Sequence, residues 1–448
     1  MLLSCEHGTE CGACALLERE YDAQLRLKWS RLGGTMNRYD SLKRVQLRHT
    51  LPSPLAAGYR NRAKMAVGMS AKGGFRLGYF RHGTREIVDA PGCRVLVPEL
   101  LETTRALRTF LGETRGIPKS LRHIDLRCGS DPRKQHLILV FRDDKPPKFP
   151  LMRLLKACPM IDGVSRHCNP SAGPQVIRGT IEPVWGEREI WVDSDQHRLR
   201  VSPGSFFQVN LGMLPAIHGL LGQFMTGGPT LVDLYAGVGT HGLALGRKYR
   251  KVVFVEGTRS AVADLKATLA AHRIRTGDPG DGPAGPGGPG GPGGPGGAPG
   301  APNAQVIGTA VERALPRILD ARPSDVILNP SRQGVLPRVL DALIDSSAER
   351  LAYLSCEPRT LTRDLDHLTK GGFQVQEIVP IDMMPQTLQI EALALVRRVK
   401  RPERRAAGPG GRGAGRGRES RSGGPRSRER SGSGGRGPGS GGGRGRRS

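Results

Sequence analysis

From about residue 201 the chain alternates short, continuous apolar runs with glycine-marked turns and helical stretches. TLVDLYAGVGTHGLALG (230–246) reads as a buried strand, the turn Gly237-x-Gly239 and a helix. KVVFVEG (251–257), AQVIGTAVE (304–312), DVILNPSRQGV (325–335) and LAYLSCEPRTLTRDL (351–365) add further strands, several of them with a turn and a helix behind. Apolar runs without alternation suit strands covered on both faces, and their pairing with helices is the βαβ signature of a parallel sheet. LQIEALALVRRV (388–399) reads as a late edge strand. Earlier in the chain, residues 58–89 alternate apolar and polar positions at period two between glycine-rich turns, which predicts a hairpin or meander. Residues 94–200 read as α+β, with a helix near 98–112 and strands around 121–128, 136–142 and 188–192. Leu16, Leu17, Leu25 and Leu27 give residues 15–50 a helical pattern that becomes strongly basic. The chain therefore divides into a segment 1–50, an α+β subdomain 51–200 and a parallel α/β domain 201–400.

Two stretches carry no such pattern. Residues 277–302 are Gly, Pro and Ala with a few Asp, and seven Gly-x-y triplets are too few for a collagen helix. They predict a disordered insertion in a loop between a helix and the next strand. Residues 401–448 hold 14 Arg and 3 Glu among Gly and Ser, and without apolar positions they predict a disordered tail. The formal charge is +27; the tail accounts for +11 and the other 400 residues for +16, so the body is basic by itself. Such a balance favours a nucleic-acid partner, with the tail adding weak, salt-sensitive RNA binding. Within 58–89, Arg60, Arg62, Lys64, Arg76, Arg81 and Arg85 interleave with Tyr59, Phe75, Tyr79 and Phe80. That pattern suits an RNA surface or, equally, a solvated basic face with half-buried aromatics. No apolar run approaches the ~20 residues of a membrane span, and the N-terminus lacks a basic stretch followed by an apolar one. The expectation is a cytoplasmic protein without membrane or obligate protein partners.

The chemistry concentrates at a few positions. Cys356 follows an apolar strand and precedes a helix, which places a thiol where open α/β sheets bind ligands. The helix N-terminus there is expected to favour the thiolate. The glycine turn and Glu256 at the end of the next strand predict an adenosine-type cofactor, the acid accepting ribose hydroxyls. Cys5, Cys11 and Cys14 have C-x5-C-x2-C spacing, and Cys93 supplies a fourth thiol. Such a set binds Zn²⁺ or an iron–sulfur cluster, and the spacing leaves that choice open. His7 reads as a bystander, and Cys128, Cys158 and Cys168 as ordinary thiols.

SFFQVN (205–210), DLYAGVGTHGLAL (233–245), ILNPSRQG (327–334), LSCEPRTLTRDL (354–365) and DMMPQTLQIEALAL (382–395) resemble, in order and spacing, the uracil-C5 RNA methyltransferases. GYRNRAKM (58–65) and the cysteine set resemble the branches that carry a [4Fe-4S] cluster. With Asn329, and with no leading OB-like TRAM domain expected before the cysteines, the chain is most similar to the subgroup modifying a 23S rRNA loop uridine (RlmC-like). The likeness covers nearly all of residues 1–400 outside 277–302. It implies an α/β, Rossmann-like class I S-adenosylmethionine-dependent methyltransferase domain, an N-terminal Fe–S segment and an α+β RNA-binding subdomain. It further implies a cluster on Cys5, Cys11, Cys14 and Cys93, Cys356 as the nucleophile toward uracil C6, and Glu391 as the base. Gln208, Tyr235, Glu256 and Asn329 match cofactor-site positions, with Asp233, Gly237 and Gly239 shaping the loop. Asn329 stands where most of the wider family has Asp, Glu357 where Asn is usual, and Gln386 and Gln389 where His is common. A tRNA uridine is the rival substrate. A catalytically idle RNA-binding or assembly protein is the rival class, and the retained Cys356 and Glu391 speak against it.

Overall fold

A computed structural model of the chain describes residues 2–399 apart from 9, 71–72, 172, 174–175, 178 and 277–302. The expected Gly/Pro insertion and Arg/Gly tail lie outside the described residues.

Helix α1 (Tyr21–Met36) and the short strand β1 (Gln46–Leu47) follow the cysteine segment. A smaller sheet comprises β2 (Arg62–Met69), β3 (Phe75–Phe80), β4 (Ile87–Asp89), β5 (Leu121–Cys128), β6 (Gln135–Phe141), β7 (Ile161–Cys168) and β8 (Glu182–Gly186). Its order is β4-β3-β2-β5-β6-β7-β8, antiparallel except for β6–β7. A parallel pair needs a crossover, and α3 (Leu151–Ala157) lies within it. Helix α2 (Pro98–Glu113) sets Leu100, Leu107 and Phe110 into one core with Met65, Val67, Ile124 and Leu126 of the strands.

The hairpin β9 (Ile190–Ser194) and β10 (His197–Val201) leads to α4 (Leu214–Phe224), β11 (Gly228–Leu234), α5 (Thr240–Leu245), β12 (Tyr249–Val255) and α6 (Arg259–Ala271). Then come β13 (Asn303–Ile307), α7 (Val311–Asp320), β14 (Asp325–Leu328), α8 (Pro337–Asp345), β15 (Arg350–Ser355), α9 (Pro358–Lys370), β16 (Phe373–Ile381) and β17 (Glu391–Arg398). These strands and β1 form a sheet of order β1-β16-β17-β15-β14-β11-β12-β13, parallel except for β17. Val252 and Phe254 enter the core on one face and Val253 and Val255 the core on the other, which is why β12 reads as unbroken apolar sequence. The last strand differs from expectation: β17 is wedged antiparallel between β15 and β16, and the edges are β1 and β13. Its alternation of Ala392, Ala394 and Val396 into one core with Leu393 and Leu395 into the other fits an inner strand.

Helix α1 turns a polar stripe inward. Gln24 and Lys28 are buried with Leu32 and Met36, whereas the predicted apolar positions Leu25 and Leu27 are only half-buried. The reason lies in the β16–β17 loop. Lys28 Nζ pairs with Asp382 Oδ1 at 2.5 Å, with both side chains wholly inaccessible, and donates to the Met384 carbonyl at 3.0 Å. Burial pulls the Lys28 ammonium below its ordinary pKa, and the Asp382 carboxylate works against that. One turn earlier, Gln24 Oε1 accepts from Gln386 N (2.9 Å) and its Nε2 donates to Gln386 Oε1 (2.8 Å). Gln386 itself has φ +70°, a strained setting for a bulky residue, and these bonds hold it there. Among the described residues no helix is long and apolar enough to cross a membrane.

Removing one partner from a buried ion pair typically costs about 3–5 kcal/mol. Lys28→Met should show a loss of that order in urea denaturation, and Lys28→Met/Asp382→Leu should recover most of it. A single variant as stable as the parent would contradict the pairing.

Candidate active site

The order of the large sheet reverses between β11 and β14, and ligands of open α/β sheets bind beyond the carboxyl ends of the strands at such a point. Three elements deliver the predicted cofactor residues there. β11 carries Asp233 next to its last residue and leads into Tyr235; β12 leads into Glu256; Asn329, just after β14, donates its backbone N–H to the Leu234 carbonyl at 3.3 Å. Tyr235, Gly237 and Gly239 have φ of +60°, +57° and +86°, so the loop after β11 curls back through three left-handed residues. A Cβ at Gly239 would stand 2.5 Å from Leu265 Cδ1, whereas one at Gly237 would meet open space. Glu256 clasps the turn: its Oε2 accepts from Gly237 N at 2.8 Å and its Oε1 from Thr258 N at 2.6 Å. Asp233 is buried beneath it, with Oδ2 accepting from Gly242 N at 2.9 Å and Oδ1 without a partner. Burial lifts its pKa to about 7. Burial also raises the Tyr235 phenol, beside Glu312 and Asp364. An open glycine turn, an orphaned carboxylate oxygen below it and a strand-end glutamate fit a ligand that carries ribose hydroxyls.

A second group assembles beyond β15. Ser355 stands opposite Ala392 in the antiparallel β15–β17 register, so Cys356 and Glu391 face each other one residue further on. Arg332 joins them: its charge acts on the Cys356 thiol, and its guanidinium donates to Gln389 Oε1 at 2.6 Å. Burial raises the thiol pKa and Glu391 adds to the rise, while Arg332 opposes both. The expectation that a helix N-terminus tips Cys356 toward thiolate is thus corrected. Desolvation outweighs every lowering influence, and the net direction is upward. Burial brings Glu391 to about 7, with Arg332 again pulling down.

Local structure fixes these side chains. Ser355 Oγ accepts from Glu357 N (3.2 Å), and Glu357 caps α9 by accepting from Arg359 N (3.3 Å), with Pro358 in the first turn. Arg332 lies on a loop stitched to α9: Thr360 Oγ1 donates to its carbonyl, Arg363 Nη2 to that of Gln333, and Val335 N to buried Asp364. Gly334 has φ +75°, and a Cβ there would meet Asp364 Oδ2 at 2.6 Å. Sequence reasoning singles out Asn329 from this stretch and misses Arg332. The available signal was a cation four residues past the end of a buried strand.

Gln208 lies on a strap (205–210) that laces the smaller sheet to the β16–β17 loop. Asn61 Nδ2 donates to the Gln208 carbonyl at 3.2 Å, and Asn210 Nδ2 donates to Ser53 Oγ (2.9 Å) and the Met383 carbonyl (3.2 Å). Cys5, Cys11, Cys14 and Cys93 line one apolar pocket with Leu17, Tyr79 and Val95. Burial and mutual repulsion push the thiol pKa of Cys11 up and that of Cys14 to about 12. Burial is also the main cause of the rise at Cys93. Among the described residues no three His, Cys, Asp or Glu are disposed to hold a single metal ion. The four thiols therefore share a pocket without closing into the tetrahedron, with Zn–S near ~2.3 Å, of a zinc site. The cations and aromatics of 58–89 are partly engaged by partners, one pair buried and two on the surface. Arg62 pairs with buried Asp125, Arg76 and Arg81 with Glu86, and Tyr59 donates to the Pro385 carbonyl at 2.9 Å. Tyr79 faces the thiol pocket, leaving Lys64, Phe80 and Arg85 exposed.

No family model matches the chain. A Halalkalibacterium halodurans protein named an uncharacterized RNA methyltransferase is 26% identical over 405 residues, covering 88% of this chain and 82% of its own length. A Geobacter sulfurreducens protein of the same description is 28% identical over 427 residues, covering 90% and 78%. Among solved structures, the Pyrococcus abyssi tRNA (uracil-54, C5)-methyltransferase in complex with S-adenosyl-L-homocysteine matches with TM-score 0.66 and 23% identity, over 86% of each chain. The fold is the Rossmann-like α/β fold of S-adenosylmethionine-dependent methyltransferases.

A carboxyl whose pKa rises on folding favours the folded state while protonated, so its contribution declines as pH climbs from its ordinary 4.5 through about 7. Glu391→Gln should therefore exceed the parent in stability at pH 8 by about 1–3 kcal/mol and match it near pH ~4. Urea curves at the two pH values check this, and no gain at the higher pH would contradict the buried carboxyl.

Proposed function

We propose that this chain methylates C5 of uracil in RNA, using S-adenosylmethionine and a transient bond between Cys356 and the base. The observation that carries this reading is Cys356 facing Glu391 across β15 and β17, with the Arg332 charge acting on both, at the carboxyl ends of the sheet that also forms the glycine turn. Curated relatives described as RNA methyltransferases support it. Uracil C5 is a weak nucleophile. Addition of the Cys356 sulfur to C6 forms a C–S bond and moves the ring's electron pair toward C5, dividing one hard step into easier ones. Arg332 stabilises the thiolate against its burial. When bound, S-adenosylmethionine supplies the electrophilic methyl group that C5 accepts. Gln208, Tyr235, Glu256 and Asn329 would hold it, with Asp233, Gly237 and Gly239 shaping the turn. Glu391 then takes the C5 proton, the pair returns to the ring, and the C6–S bond breaks to restore the thiolate. A carboxylate with a pKa near 7 is a stronger base than an ordinary one while still half ionised at neutral pH. The target base must be unpaired or flipped from its stack to reach this cleft.

The four thiols suit a [4Fe-4S] cluster that fastens the N-terminal segment to the smaller sheet, with no part in the reaction. The substrate is a 23S rRNA uridine on the strength of the Asn329 motif. A tRNA uridine is the second reading, favoured by the activity of the archaeal protein of like fold. Methylation mapping of both RNAs from a deletion strain separates them.

Cys356→Ala should abolish methyl transfer and the denaturation-resistant adduct with 5-fluorouridine RNA; surviving turnover would overturn the proposal. Anaerobically purified protein should contain iron and sulfide in equal amounts, and stoichiometric zinc in their place would reject the cluster.

A further inference from the structure

Helix α1 is inverted with respect to ordinary amphipathicity. Its polar Gln24 and Lys28 face the interior, and an aromatic and cationic face looks outward. Trp29 is 40% exposed, an uncommon setting for the residue that offers most stacking surface. A groove of about 770 Å³ runs along this face, lined by Arg19, Leu25, Arg26, Trp29 and His49, with Asp22 as its one carboxylate among the described lining residues. Arg44 and Arg48 are exposed nearby, flanking the edge strand β1, and Arg48 stands 3.5 Å from Glu377.

Helix α1, whose outer face the groove follows, also borders the loop that leads to Glu391. Arg31 of the same helix donates to the Leu388 carbonyl at 2.6 Å, and Leu388 is itself exposed. The next residue, Gln389, accepts from Arg332, whose charge acts on Cys356. A strand whose uridine is delivered to Cys356 would thus have α1 as a neighbour where it leaves the site. The helix is also rigidly placed by the buried Lys28–Asp382 pair, so its outward face is preorganised.

We propose that this face of α1 is a docking surface for single-stranded RNA flanking the target uridine, with a base stacked on Trp29 and phosphates held by Arg19 and Arg26. The proposal rests on the uracil-methylating reading for the direction of the strand. An exposed aromatic between cations is the combination that single-strand binders use, since every base has a π face and every nucleotide a charge. The groove makes up for the cations and aromatics of residues 58–89 that are turned into ion pairs and packing.

The test uses the full chain and a labelled oligouridine RNA, with anisotropy measured across a salt series. Arg19→Ala/Arg26→Ala should weaken binding and flatten the plot of log K against log salt by about 1.4, at roughly 0.7 per lost single-strand phosphate contact. Arg19→Lys/Arg26→Lys should keep the slope. Trp29→Ala should weaken binding by about tenfold or more, and Trp29→Phe should retain most of the affinity. In turnover these losses should appear in KM for RNA more than in kcat. Unchanged affinity and slope in both alanine variants would overturn the proposal, and this is also the outcome if the groove serves a protein. Should the parent form no adduct with 5-fluorouridine RNA while the alanine variants still bind oligouridine more weakly, the methylation reading fails and the surface stands.

Discussion

One buried ion pair holds the proposed catalytic residues in register. Lys28 and Asp382 meet where α1 crosses the end of β16, and neither side chain reaches solvent. Asp382 opens the loop that leads to Glu391, so whatever fixes the loop fixes the proposed base. The loop also collects bonds from three other parts of the chain. Leu16 N donates to the Gln386 carbonyl at 3.0 Å, Tyr59 to that of Pro385, and Asn210 to that of Met383. The cysteine segment, the smaller sheet and the 205–210 strap thus converge on residues 382–390. Burying charges is unfavourable unless they are paired, and here the arrangement fixes a strained Gln386 and one approach for β17.

The same desolvation that makes Lys28 depend on Asp382 sets the chemistry. Burial pushes the Cys356 thiol and the Glu391 carboxyl in the same direction, toward their neutral forms. For the proposed base this is useful, since a raised pKa means a stronger proton acceptor. For the proposed nucleophile it is adverse, and Arg332 counters it. A site with Cys356 and Glu391 but no Arg332 would hold two neutral groups facing each other. Gly334, Thr360 and Asp364, which place the Arg332 loop, are therefore as much part of the working site as the reacting atoms.

The large sheet was legible because its strands are covered on both faces and read as unbroken apolar runs, each closed by a glycine turn or a polar residue at the cleft. Asp233, Tyr235, Glu256, Asn329 and Cys356 could be placed at strand ends for the same reason. The position of β17 was not legible from strand order alone, since an antiparallel insertion is decided by pairing with β15 and β16. The inward face of α1 was hidden for a different reason: Gln24 and Lys28 are buried by partners more than 350 residues away in the chain. Arg332 escaped because its role is defined by Cys356 and Glu391 on two other strands. Local pattern reports which residues are buried and which turn; it is silent on which distant charge makes a burial tolerable.

The central claim is that Cys356 and Glu391 act on one base in sequence, the first forming a bond and the second permitting its release. Intact mass measurement of Glu391→Gln protein, mixed with substrate RNA and S-adenosylmethionine, tests it most directly. The account predicts accumulation of a protein–RNA adduct carrying one added methyl group and mapping to the peptide that contains Cys356. An adduct on any other residue, or normal release of methylated RNA from this variant, would contradict it.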